Sequence, residues 1–172
     1  MNGQVIGKTM PHGYAGSYAR QPDSVIDTHA LTGTAAVPFG LAVVRDSANA
    51  ASVTLPGDAS TAAQFMGIAV REIKSATDYL NQNVGQYHPG EAVPVMKRGC
   101  VNVHCQNGTP SPGGAVYMRV KLNEETYPNA VVGGLEAAAD STNSVQLTNC
   151  AWKGGADANG IAEMRIMTII NV

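Results

Sequence analysis

Apolar residues in this chain come in short runs broken by glycine, proline, asparagine and serine, without the three-and-four spacing of an amphipathic helix. One phrase occurs twice: Phe39-Gly40-Leu41-Ala42-Val43-Val44-Arg45, and after a polar insert Met66-Gly67-Ile68-Ala69-Val70-Arg71. A glycine followed by a compact apolar run closed by arginine reads as a buried strand entering from a tight backbone position. Further strands are expected over 24–29, around 52–55, over 91–96 and 99–105 with a break at Lys97-Arg98-Gly99, and over 115–120, 131–132, 145–152 and 161–170. Pro56-Gly57-Asp58 and Pro89-Gly90 are strong turn signals. Residues 59–65, with Ser60 as a cap, are expected to form one helical turn or two, and residues 135–140 a single helical turn. Many short strands at even spacing argue for an all-β sandwich or barrel.

The first 22 residues differ from the rest. Gly3, Gly7, Pro11, Gly13, Gly16 and Pro22 exclude a helix, and the apolar residues are too few for a core strand. The organisation expected is an extended N-terminal arm over 1–22 and a single β domain over 23–172. Tyrosines in the arm suit two placements, folded back on the domain or reaching a neighbour.

Charge changes the picture by its scarcity. Lysine and arginine number 11 against 13 acids, for a net charge of −2, and charged residues are only 14% of the chain. Lys97-Arg98 is the only adjacent pair of cations, so the clustered positive surface that nucleic acid needs is lacking. The apolar runs fall short of a membrane span, being broken by residues such as Pro38 and Gly40. The chain opens without a charged segment leading into an apolar one, and synthesis in a cytoplasm is expected. A weakly polar, lightly charged surface suits burial against other subunits.

Candidate chemistry adds little. Cys100, Cys105 and Cys150 are an odd set without framework spacing, and on a strand Cys100 and Cys105 point to opposite faces, unlike a zinc pair. His12, His29, His88 and His104 lack a nucleophile on a strained turn. The 154–160 loop carries acid where a phosphate cradle wants lysine, and its Asp157 and Asn159 fall short of a calcium ligand set. Catalytic, cofactor and metal sites are therefore expected to be absent. Tyr14, Tyr18, Tyr79, Tyr87, Tyr117 and Tyr127 supply most of the aromatic content, beside Trp152. In arms and loops such residues serve as interface anchors or as plugs at sheet ends.

The order of these phrases resembles the structural cement proteins of tailed bacteriophages. The likeness is carried by Gly13-Tyr14-Ala15-Gly16 with Ala19-Arg20, by Pro38 through Val44, by Gly67 through Glu72, by Tyr87 with Pro89 through Val95, and by Gly99 through Val103. It continues through Gly113-Gly114-Ala115-Val116-Tyr117 to Ala162 through Ile166. The resemblance implies a small β-barrel or jelly-roll-like sandwich with an extended N-terminal arm. It also implies a non-enzymatic protein on the capsid exterior of the virion, made in the host cytoplasm. Its partners would be the major capsid protein and itself, as a homodimer or homotrimer. His12, Tyr14, Tyr18 and Arg20 of the arm, with Tyr79 and Tyr87 of the loop, are the residues expected at a partner surface. The alternative is a carbohydrate-binding β-sandwich adhesion module with Tyr79, Tyr87 or Trp152 as stacking platforms; a β-fold hydrolase ranks last.

Overall fold

The computed structural model describes residues 11–72 and 84–170. The all-β expectation holds: among the described residues there are strands and short 3-10 turns but no α-helix. Strand β1 (Tyr18–Leu31) is followed by β2 (Val37–Pro38), β3 (Ala42–Arg45), β4 (Ser52–Thr54), β5 (Phe65–Ala69) and β6 (Gln86–Tyr87). Then come β7 (Ala92–Asn107), β8 (Val116–Arg119), β9 (Leu135–Glu136), β10 (Ser144–Leu147), β11 (Cys150–Trp152) and β12 (Ile161–Ile166). A ten-stranded sheet holds most of them, and β2 pairs with β6 separately. The sheet is mixed, with β1 parallel to β4 and β7 parallel to β9.

Strand β7 is the spine. Its first half pairs with β1, from Ala92 opposite Ala30 to Val101 opposite Tyr18, and with β5 at Val95 and Met96. Its second half pairs with β12, from Gly99 opposite Ile166 to His104 opposite Ile161. The break expected at 97–99 is absent: β7 runs through it, with β5 alongside at Val95 and Met96 and β12 alongside from Gly99. Pairings also run from β1 to β4, β3, β5, β7 and back to β1. The side chains divide into two cores. Leu31, Val37, Val43, Val53, Ala69, Tyr87, Val93 and Val95 form one. Met96, Val101, Val103, Met118, Leu135, Leu147, Trp152, Met164 and Ile166 are among those forming the other.

The repeated phrase becomes β3 and β5, and the copies pair with each other, Ala42 opposite Ile68 and Val43 opposite Gly67. The tight backbone position read from the sequence is real. Gly67 has φ +150°, and a Cβ there would lie 2.1 Å from the Met96 carbonyl oxygen. Only glycine lets β5 pass this close to β7.

Local readings fail where tertiary contacts decide. The turn over Ala62–Gln64 is capped by Thr61, whose N–H donates to Gln64 Oε1 at 2.9 Å; Ser60 Oγ instead accepts from Gly57 N–H. The helical turn expected from residue 135 is strand β9, because Leu135 and Glu136 pair with β8 on one side and β7 on the other. The run over 145–152 divides into β10 and β11. Strand β1 starts at Tyr18, so residues 18–22 of the expected arm already belong to the sheet.

Candidate interaction surface

The N-terminal stretch 11–17 runs as a strap across β7. Asn102 fixes it: the backbone N–H donates to the Ser17 carbonyl at 2.9 Å, and the backbone carbonyl accepts from Gly16 at 2.8 Å. The Asn102 side-chain amide donates to the His12 carbonyl at 2.7 Å and to Ser17 Oγ at 3.1 Å. Asn102 sits on the polar face of β7, opposite Val101 and Val103, yet it is buried because the strap covers it. The next residue on that face, His104, is exposed. Asp157 holds the strap's other end, accepting the His12 N–H at 2.8 Å. Its carboxylate also takes the Asn159 and Ile161 N–H groups, and these bonds, led by His12, hold its pKa below the usual range.

Glycine permits the strap to lie flat. Gly16 and Gly40 have φ +81° and +84°, and a Cβ on Gly16 would stand 2.9 Å from the Gly40 nitrogen. Gly40 N–H donates to Ala69 at 2.8 Å and Arg71 N–H to Gly16 at 2.8 Å, which ties the strap to the end of β5. The Arg71 guanidinium then lies 4.7 Å over the centre of the Tyr14 ring. Tyr14 is 71% exposed, so its ring is presented outward on a fixed mount. The Tyr18 hydroxyl donates to Glu72 Oε1.

Arg20 forks onto Glu163 of β12, with Nε at 2.6 Å and the second nitrogen at 2.9 Å. The Arg20 hydrogen bond, against the opposing effect of burial, keeps the Glu163 pKa below its usual value. Along the stretch 12–20, His12 thus meets Asp157 and Asn102, Tyr14 meets Arg71, Tyr18 meets Glu72 and Arg20 meets Glu163.

One expected contact residue behaves otherwise. Tyr87 is a core residue with no exposed area. Its hydroxyl donates to the Val70 carbonyl at 2.7 Å, its ring centre is 5.0 Å from that of Phe39, and burial pushes its pKa up to about 12. Its place at a partner surface is corrected accordingly, and so is its use as a sugar platform. Trp152, at 1% exposure, is no platform either. Tyr79 lies outside the described residues.

Sequence reasoning missed the roles of Asn102, Glu163 and Arg71, and a buried charge cluster on β8 and β9. Arg119 and Glu136 are both fully buried and meet at 2.5 Å; Arg119 also reaches Asp140 at 2.9 Å and lies 5.2 Å over the Tyr127 ring. Burial works to raise the Asp140 pKa, but hydrogen bonds from Asn123, Arg119 and Asn143 outweigh it and the net shift is downward. This cluster ties the segment between β8 and β9 to the sheet. An alternating signal was present, since Arg119 follows Met118 in a strand, but a lone arginine in a strand gives no sign of its partner.

Among the described residues the scaffold is built of strands and short turns, with one exposed aromatic, Tyr14, held on the strap. A family model described as structural cement protein (E217 gp24/Pam3 gp6) matches residues 2–167. The chain belongs to this family of phage structural cement proteins, and is a non-enzymatic component of the virion capsid. Its fold is similar to that of a chain in the solved capsid of Myoviridae phage XM1, with a TM-score of 0.68 and 17% sequence identity, over 98% of this chain and 99% of that one. No curated protein matches the chain.

Proposed function

We propose that the chain binds the outside of the major capsid protein shell as a homodimer or homotrimer and joins neighbouring capsomers. The arm over 1–22 and the β domain over 23–172 act together in this: the domain supplies rigidity and the arm supplies contact. Within the domain, the circuit β1–β4–β3–β5–β7 acts as a small barrel around the first core.

The observation that carries this reading is Tyr14, 71% exposed and held beneath Arg71 on a strap that is itself hydrogen-bonded to β7. An exposed aromatic that is already ordered gives contact area at little entropic cost, which is what an interface anchor needs. Light charge lets surrounding surface be buried without stranding ions. An oligomer presenting several copies of a patch of about 800 Å² per partner binds a repeating lattice far more tightly than one copy. The adhesion alternative loses Tyr87 and Trp152 as platforms, since both are buried.

Cosedimentation of the purified chain with capsids lacking it tests the reading. Wild type is expected to attach, and Tyr14→Ala to attach at least about tenfold more weakly with an unchanged thermal midpoint. Attachment of Tyr14→Ala equal to wild type would remove the strap from the contact.

A further inference from the structure

A cleft of about 430 Å³ opens beside β11 and β12, lined by Gly113, Ala151, Trp152, Lys153, Arg165 and Met167. Its charged lining residues, Lys153 and Arg165, are both cationic. Trp152, at 1% exposure, lies beneath it. The neighbouring acids are committed elsewhere. Asp23 is shared between Arg165 and Arg98 at 3.0 Å each, and Glu163 is forked by Arg20. Lys153 has no ion-pair partner among the described residues. Met167, 46% exposed, adds an apolar wall, and Ile170, 40% exposed, follows on the same segment.

A complementary surface lies at the far end of β8. The cleft adjoins Gly113, ahead of that strand, whereas the segment after it exposes Glu124 and Glu125, neither with a cationic partner among the described residues. Leu122 and Val131, at 47% and 48% exposure, flank these acids on the same segment. One patch is acidic and apolar, the other cationic and apolar. Because they occupy opposite ends of one strand, they can meet only between copies, head to tail.

We propose that the cleft takes the Glu124–Glu125 loop of a second copy of the chain. The carboxylates accept from Lys153 and Arg165, while Leu122 packs toward Met167. The inference rests on the homo-oligomeric reading above and assigns its interface.

Sedimentation velocity of the full chain over a concentration series tests it, with Trp152 fluorescence as a second readout, since the chain has one tryptophan. Wild type is expected to associate. Lys153→Glu with Arg165→Glu, and separately Glu124→Lys with Glu125→Lys, each weaken association by about tenfold or more toward the 17.8 kDa monomer. Mixing the two charge-reversed chains restores association, because each loop then meets a cleft of opposite sign. Circular dichroism melts confirm that each variant folds, and the loop variant alone decides the matter should the cleft variant not fold. A wild type that stays monomeric, an unchanged association in the folded variants, or a mixture that fails to recover overturns the interface. A monomeric wild type that still cosediments with capsids overturns this interface alone and leaves shell binding standing. Loss of capsid attachment in the cleft variant with its self-association intact gives the cleft to the shell and also overturns the inference.

Discussion

The side-chain amide of Asn102, in the middle of β7, donates to the backbone carbonyl of His12 at 2.7 Å across 90 positions of chain. A second side-chain bond to Ser17 Oγ, beside the backbone bonds to Gly16 and Ser17, makes Asn102 the clasp of the strap. Asn102→Val suits the neighbouring valines of β7 but removes these side-chain bonds. The β domain is expected to stay folded with a loss of about 1–3 kcal/mol. Hydrogen exchange at the Gly16 amide should rise, and limited proteolysis should cut within 11–17 before the sheet unfolds. Unchanged protection there would show that Asn102 does not clasp the strap.

Gly67 should tolerate no side chain. Alanine would push its Cβ to within 2.1 Å of the Met96 carbonyl oxygen and 2.8 Å of Val95, at a φ of +150°. The expected cost exceeds about 3 kcal/mol, read from urea unfolding, or the variant fails to fold. Gly57 has open space and no positive φ, so Gly57→Ala should change stability by less than about 0.5 kcal/mol.

Arg119 and Glu136 should behave as a unit. Arg119→Met alone leaves the Glu136 carboxylate buried without its cation, with an expected loss of about 3–5 kcal/mol. Adding Glu136→Leu removes the stranded charge and should recover part of that loss. Additive losses in urea titrations of the single and double variants would show that the pair is not coupled.

Acid should loosen the strap and the Arg20 tie together. Glu163 is held below its usual pKa by Arg20, and Asp157 by the His12 N–H. For a depressed carboxylate the stabilisation is fully present above the unfolded pKa, about 4, and is lost as pH falls through the folded value. Stability is therefore expected to be level near neutrality and to fall below about pH 4. Glu163→Gln should lower the urea midpoint at pH 7 and flatten its decline between pH 7 and pH 3. A variant with the same acid slope as wild type would contradict this assignment.

Strand content was readable where neighbouring residues carry the information. The twin phrases gave two buried strands and their tight glycines, and the alternation of Val101 and Val103 with Asn102 gave the faces of β7. What the sequence hid depends on residues far away. Strand β7 runs through 97–99 with β12 alongside from Gly99, and Leu135 and Glu136 extend only because β7 and β8 flank them. Tyr87 has the composition of a contact residue, but pairing of β6 with β2 draws its ring onto Phe39. Tyr14 and Tyr18 stand out in the sequence by type, but their partners Arg71 and Glu72 do not, and Asn102 and Glu163, which hold the strap and Arg20, look like ordinary strand positions.

Cryo-electron microscopy of the virion measures the central claim most directly. Density for this chain is expected on the outer face of the shell, bridging adjacent capsomers, with the 11–20 stretch and Tyr14 against the major capsid protein. Density in which that stretch faces solvent, while another face of the chain meets the shell, would contradict it.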